Sequence, residues 1–187
     1  MDFDSRFIVI EGIDGAGKTM VSNYLSERYD QCYMTQPEDS WVGEAARKAL
    51  EEDVEPSCDL FLHMAAHANQ QARLKPQLEK SGVVMDRYYH SRVAYQAVQT
   101  QFSAREIEEM HLDWSLQPSE TIILDLPPET ALERKGGSQD KFEKIDFLSD
   151  VRSVYRDFFE DRDDVTFVDA RNSEEEVIRI VELEIFG

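Results

Sequence analysis

One stretch limits what this chain can be more than any other: Gly12-Ile13-Asp14-Gly15-Ala16-Gly17-Lys18-Thr19. It satisfies G-x-x-x-x-G-K-[ST] at every fixed position. It stands directly after the apolar run Phe7-Ile8-Val9-Ile10 and opens a helical pattern over 17–29. Each fixed residue has a physical reason. Glycines let successive backbone N–H groups curve around a phosphate with no side chain in the way. A helix N-terminus adds unpaired donors and a partial positive charge. Lys18 reaches the outer phosphates of a nucleoside triphosphate, and Thr19 offers a hydroxyl to Mg²⁺. Gly12, Ile13, Asp14, Gly15, Ala16, Gly17, Lys18 and Thr19 are therefore the candidate nucleotide-binding residues.

The rest of the chain alternates between strand-sized apolar runs and helical patterns. Strands are expected at 7–10, 32–35, 83–86, 121–126 and 165–169. Helices are expected at 17–29, 41–50, 60–78 (interrupted or ended near Pro76), 91–101, 104–115, 129–135, 146–159 and 173–185. With the glycine-rich loop, this predicts an α/β chain with a three-layer P-loop NTPase fold. Its five-stranded parallel sheet would carry helices on both faces. No repeat or linker divides the chain, so 1–187 reads as a single domain. Ligands in such folds sit beyond the carboxyl ends of the strands, which points to the loops after Ile10, Thr35, Met85 and Leu124.

Asp86 closes the 83–86 strand and is expected beside the phosphate loop. There it would either hold Mg²⁺, directly or through water, or cap the next helix. Arg87, Ser91 and Tyr95 follow at i, i+4, i+8 and share one helix face. A guanidinium, a hydroxyl and a phenol suit a sugar phosphate under a small ring, or form a mixed face packed on the protein.

Composition narrows the partners. Asp and Glu number 39 against 20 Lys and Arg, a net charge of −19. That balance opposes a general nucleic-acid surface, which needs a basic excess. Only seven of the basic residues are lysine, and acid excess with little lysine suits a protein kept soluble in high salt. No apolar run approaches the ~20 residues of a membrane helix. The start of the chain has no basic region followed by a long apolar segment. Cys32 and Cys58 lack metal-ligand spacing and are read as reduced and packed, so the expected compartment is the cytoplasm. Trp41, Trp114, Phe158 and Phe159 are expected in the core or an interface.

Several segments, taken in order, resemble thymidylate kinases. Phe7 to Thr19, FIVIEGIDGAGKT, looks like the opening of that family. Asp86-Arg87-Tyr88 through Ser91 to Ala94-Tyr95-Gln96 resembles its DRY-x-x-S-x-x-AYQ segment. Leu124 to Arg134 is similar to its strand leading into the lid. Asp140-Lys141-Phe142-Glu143 resembles the lid's DR-[IF]-E, with lysine for arginine. Met34-Thr35-Gln36-Pro37 falls where the family has TREP. The resemblance spans about 7–170. It implies transfer of the γ-phosphoryl group of ATP to dTMP, with Mg²⁺ held at Thr19 and Asp86, in a homodimer joined through the helices flanking the DRY strand. It implies that Arg87 holds the acceptor phosphate, that Asp14 meets the deoxyribose 3′-hydroxyl with Tyr95, and that Ser91 lines the thymidine pocket. The phosphate loop carries no arginine, so Arg134, Lys135 and Lys141, in a mobile lid around 134–144, are the catalytic cations beside Lys18, Asp86 and Arg87.

The departures from the family pattern are specific. Its TREP arginine, which contacts the acceptor phosphate, falls on Thr35, and its glutamate on Gln36. Thr cannot replace a bidentate charged fork. A hydrogen bond to a charged group is worth roughly 1.5–3 kcal/mol, or about ten- to a hundred-fold in affinity. Arg47, Arg73 and Arg92 are the candidates to compensate. The aromatic and arginine that contact thymine fall on Leu62 and Ala66. His63 and His67, one residue later, are candidate base contacts, with packing or metal binding as their other readings, and Asn69 is a weaker candidate. A kinase for another nucleoside monophosphate or a nucleoside, or a nucleotide-binding protein that has lost transfer, are the competing functions.

Overall fold

The computed structural model describes residues 6–52, 54–136 and 141–187, with backbone only for 141–143. Its centre is β1 (Phe7–Glu11), in which every residue is buried. Around it lie α1 (Lys18–Arg28), β2 (Cys32–Thr35), α2 (Trp41–Glu51), α3 (Pro56–Leu78), β3 (Val83–Asp86) and α4 (Tyr89–Gln99). The chain continues with α5 (Ala104–Leu112), β4 (Glu120–Asp125), α6 (Pro128–Arg134), α7 (Lys141–Phe159), β5 (Val165–Asp169) and α8 (Glu174–Phe186).

All pairings are parallel and the sheet order is β2-β3-β1-β4-β5. Parallel strands covered by helices bury both faces, which is why β1 and β3 read as unbroken apolar runs rather than alternating ones. From β1 the chain crosses to the edge strand β2, returns to β3 between the two, and then passes to β4 and β5 on the other side of β1. The carboxyl end of β1 is thus the switch point at which ligands bind in open α/β sheets.

The exception in β1 is Glu11, a carboxylate with no exposure. A buried charge must be hydrogen-bonded to persist. Glu11 accepts from the backbone N–H of Tyr88 at 2.6 Å, from Ser91 N–H at 3.1 Å, from Ser91 Oγ at 2.5 Å and from the Tyr155 hydroxyl at 2.9 Å. One side chain thereby fastens α4 and α7 to the end of β1. Asp125, closing β4, fastens α7 again: Arg152 grips it with two bonds of 2.6 and 2.8 Å, and Arg156 adds a third at 2.8 Å. The helices start where their sequences say they should. Ser40, Ser103 and Ser173 cap α2, α5 and α8, and Ser103 forms a capping box with Glu106.

One packing expectation is corrected, that for Cys58. The buried stripe of α3 runs through Leu60, His63, Ala66, His67, Gln70 and Leu74. Cys58 lies off that stripe and is exposed, whereas Cys32 is half-buried. Trp41 opens α2 with 79% of its surface exposed, and Trp114, at 40%, stacks on His111 and edges onto His67. Phe159 is in the core, and Phe158 packs against it. Pro76 does not break α3. It sits in the last turn, and the helix ends two residues later at Leu78.

All four histidines are buried, and His67, His90 and His111 lie among aromatic rings. His90 stacks on Tyr89 at 4.1 Å, and His111 stacks on the same ring at 5.6 Å. Burial pushes His67 down to about 2, His90 to about 3 and His111 to about 4. The folded chain keeps these rings neutral, while the unfolded chain protonates them near 6.5. Their contribution is complete above that value and is lost as pH falls below it. Unfolding near pH 5 should take up about three protons onto these rings, read as the slope of the urea-unfolding free energy against pH. A flat profile between pH 6.5 and 4.5 would mean that the folded rings are already charged.

Candidate active site

The phosphate loop runs from β1 into α1 in a shape that only glycine supports at two points. Gly12 has φ of +134°, and an added Cβ would stand 2.5 Å from the Leu124 carbonyl oxygen. Gly15 has φ of +89°, and its Cβ would meet the Ala131 carbonyl oxygen at 2.6 Å. The loop is therefore pressed against β4 and α6. Lys18 is buried and donates to the Ile13 carbonyl at 2.8 Å. Burial and the nearby Arg87 charge lower its pKa to about 7, against the opposing pull of Asp14, Asp86 and Glu11.

Register places the metal candidates. Ile10 of β1 pairs with Asp86 of β3, which brings the Asp86 carboxylate to the mouth of the loop. Thr19 Oγ1 donates to its Oδ2 at 2.6 Å, and the Tyr33 hydroxyl approaches the same oxygen at 3.4 Å. A hydroxyl and a carboxylate are hard oxygen donors. They fit Mg²⁺, which completes its shell with water and phosphate rather than a protein cage.

Arg87 stands at the turn between β3 and α4 with φ of +69°, a left-handed conformation that costs a non-glycine residue on the order of 1–3 kcal/mol. Its N–H donates to Ile10 O at 3.1 Å, and Glu11 holds the following N–H, so both sides of the turn are pinned. The turn aims the guanidinium at Asp14, with which it forms an ion pair. Lys135 Nζ approaches the other Asp14 oxygen at 3.2 Å. The Asp14 N–H donates to the Tyr95 hydroxyl at 3.0 Å. Burial opposes the ionisation of Asp14, but the Arg87, Lys18 and Lys135 charges outweigh it and hold the carboxyl well below the usual range.

Two clefts meet at this point. One, of about 760 Å³, is lined by Lys18, Thr19, Asp86, Arg134 and Asn172. The other, of about 610 Å³, is lined by Gln36, Leu50, Arg92, Tyr95, Gln96 and Phe147. Asp14, Arg87 and Lys135 line both. Each volume suits a small-molecule ligand, and the shared residues mark where two ligands would touch.

Most sequence candidates converge here: the loop from Gly12 to Thr19, Asp86, Arg87, Tyr95, Arg134 and Lys135. Arg134 also donates to the Ala170 carbonyl at 2.8 Å. Ser91 does not line either cleft. It is fully buried behind Arg87, because its hydroxyl belongs to Glu11. His63 and His67 line neither cleft, and the structure takes the packing reading of the pair. His63 Nδ1 lies 3.0 Å from the Asp59 carbonyl, and His67 is held between Gln36 and Ser115 at 2.7 and 2.8 Å. Both belong to the inward stripe of α3. Leu62 is half-buried on the same helix, and exposed Asn69 binds Glu38 instead. The 137–140 part of the lid and the Lys141 side chain lie outside the described residues.

Among the three candidate replacements for the missing arginine, Arg47 is spent on the carbonyls of Pro37 and Glu38, and Arg73 on Glu38. Only Arg92 lines the second cleft. Sequence reasoning missed Glu11, whose signal was an acid ending an apolar strand just before the loop. It also missed the loop after β5, where Asn172 and Ser173 line the first cleft. Phe147 gave no signal apart from helix periodicity.

Comparison with known proteins agrees with this layout. The thymidylate kinase family model matches residues 10–181. A probable thymidylate kinase from Archaeoglobus fulgidus is 39% identical over 180 residues, covering 91% of this chain and 89% of its own. One from Halorubrum lacusprofundi is 37% identical, covering 94% of each chain. One from Methanococcoides burtonii is 35% identical, covering 80% of each.

The depressed Lys18 predicts a proton signature. A polyphosphate beside its ammonium favours the charged form, so nucleotide binding above pH 7 takes up a proton. Calorimetry of Mg-ATP binding at pH 8, in two buffers of different ionisation enthalpy, should report uptake approaching one proton. The uptake should shrink towards pH 6, and Lys18→Arg, charged throughout, should show none. No uptake at pH 8 in the unaltered protein would mean that Lys18 is already charged when the site is empty.

Proposed function

The chain belongs to the thymidylate kinase family, and we propose that it transfers the γ-phosphoryl group of Mg-ATP to dTMP, giving dTDP and ADP. The observation that carries this reading is the meeting of two clefts over Asp14, Arg87 and Lys135, with the phosphate loop on one side only. ATP takes the loop side and dTMP the other.

The chemistry asks little of the protein beyond position and charge. An acceptor phosphate oxygen bonds to the γ-phosphorus as the bond to the β-phosphate oxygen breaks, and ADP leaves with that electron pair. The acceptor phosphate is already close to a dianion at pH 7, since its second pKa is about 6. No general base is needed, and the cleft junction offers cations instead. In this reading the backbone of Gly12 to Thr19 cradles the donor phosphates and Lys18 holds their outer oxygens. Thr19 and Asp86 hold Mg²⁺, which when bound neutralises charge on the phosphates. Arg87 exchanges Asp14 for the acceptor phosphate, and Asp14, with Tyr95 beside it, turns to the sugar 3′-hydroxyl. Ser91 acts through Glu11 and Arg87 as a positioning residue. Arg134, Lys135 and Lys141 belong to the lid, taken as 134–144 of a single domain, and bring positive charge over the transferring group.

The remaining proposals concern the molecule's setting. We place it in the cytoplasm with small nucleotides as its ligands, and neither nucleic acid nor membrane as a partner. A homodimer through α3 and α4, the helices flanking β3, is favoured by Phe61, half exposed on α3 and packed against Phe102 at 6.4 Å. A monomer mass by light scattering at micromolar concentration would sink the dimer. The net charge of −19 favours a high-salt cytoplasm. Molar KCl should therefore raise the melting temperature well above its value in dilute buffer, and equal values would remove that idea.

The test of function is ADP release coupled to a reporter in molar KCl, with dTMP, dUMP, other nucleoside monophosphates and thymidine as acceptors. Fast turnover with dTMP alone is expected, together with at least a hundred-fold lower kcat/KM in Arg87→Ala, as loss of a bidentate charged contact implies. The threonine at position 35 favours one rival, a different acceptor, and turnover confined to another monophosphate would establish it.

A further inference from the structure

Helix α7 meets the functional site at two levels. Its first turns put Lys144, Phe147 and Leu148 on the wall of the second cleft. Tyr155 stands two turns beyond Leu148, about 10 Å further along the helix. Leu148, Val151, Tyr155 and Phe159 form the buried stripe of α7. Tyr155 is 1% exposed and lines neither cleft. A phenylalanine would fill the same space, whereas a buried phenol has to find a partner for its hydroxyl. That partner is the end of β1. The Tyr155 hydroxyl donates to Glu11 Oε2 at 2.9 Å, and its oxygen stands 3.3 Å from Ser91 Oγ. Burial and the Glu11 charge push the phenol well above its ordinary value, so it stays a donor at neutral pH.

The same two partners lead on to Arg87. Ser91 Oγ donates to Glu11 Oε2 at 2.5 Å and is approached by Arg87 Nη1 at 3.4 Å. Glu11 Oε1 accepts from the N–H groups of Tyr88 and Ser91, just after the left-handed turn at Arg87. One carboxylate oxygen thus serves the backbone of the turn and the other serves side chains. Removing the phenol leaves Oε2 to Ser91 Oγ among the described residues, and a carboxylate held at one edge is free to tilt. The far side of the guanidinium pairs with Asp14. In the reading proposed above, that contact is given up to the acceptor phosphate. The guanidinium is then aimed by Ser91 Oγ and by the Tyr95 ring, whose centre lies 5.8 Å from it.

We propose that Tyr155 is a positioning residue for the acceptor phosphate: its hydroxyl locks the Glu11 carboxylate, and with it Ser91 and the turn at Arg87, in the orientation that meets that phosphate. Tyr155 itself touches no ligand. The helix that walls the cleft and the turn that holds the phosphate are kept in register by one hydroxyl. The proposal rests on dTMP as acceptor.

Tyr155→Phe keeps the ring and removes only the hydroxyl. Calorimetric binding of dTMP, thymidine and Mg-ATP separates the roles, with the thermal melt as a control for folding. Affinity for dTMP should fall about three- to ten-fold, as expected of residues coupled in one hydrogen-bond network, while thymidine and Mg-ATP keep theirs. In turnover the KM for dTMP should rise by the same factor with kcat little changed. In the Arg87→Ala background, Tyr155→Phe should cost dTMP nothing further. Ser91→Ala should reproduce the pattern, and it decides the question if the Phe variant does not fold. Equal losses for dTMP and thymidine, or a loss for dTMP that persists in Arg87→Ala, would make the hydroxyl a brace of the whole cleft and overturn the proposal, as would unchanged dTMP binding. If the unaltered protein prefers another monophosphate, the dTMP reading fails in that measurement alone. The same comparison with that nucleotide and its nucleoside then decides the role of Tyr155, and an unaltered protein that binds no monophosphate would remove both readings.

Discussion

The site depends on one buried carboxylate. Glu11 is the last residue of the central strand, and its hydrogen bonds end on α4 and α7. By holding the Tyr88 N–H it satisfies a donor at the start of α4 that would otherwise be stranded in the core, and it also accepts from the Ser91 N–H. It thereby fixes the left-handed turn at Arg87. Removing this carboxylate would release the turn and leave the Arg87 guanidinium free to swing. Orientation at the transfer point is therefore set by a group that touches neither ligand.

Electrostatics adds a second layer. The site arranges its charges against one another: Asp14 pairs with Arg87 and Lys135, and burial with the Arg87 charge lowers the Lys18 pKa to about 7. Each contact can be exchanged for one to a phosphate oxygen. Catalysis by positioning requires such groups to be in place before the ligand arrives, and the ion pairs keep them there.

The local parts of this structure were legible in the sequence. Each strand is a short apolar run bounded by turn residues, and each was expected within a residue or two of where it lies. The phosphate loop, Asp86, Arg87 and Tyr95 were legible because their chemistry is encoded in spacing along a strand end and one helix face. The long helix α3 was the harder case. The i, i+4 spacing of His63 and His67 states correctly that they share a face, but not which way the face looks. The answer depends on α4, whose packing draws the stripe inward.

Asp14 has one more consequence in so acidic a chain. A cluster of cations facing solvent in concentrated salt would collect chloride or any other small anion. Here the carboxylate of Asp14 already occupies the space between Arg87 and Lys135 as a built-in counter-ion. An entering anion must displace it, and a single charge gains little by the exchange. In the proposed reading a ligand with several phosphate oxygens, and a sugar hydroxyl to receive the displaced carboxylate, gains much more, so the crevice would discriminate against single small anions before any base is read.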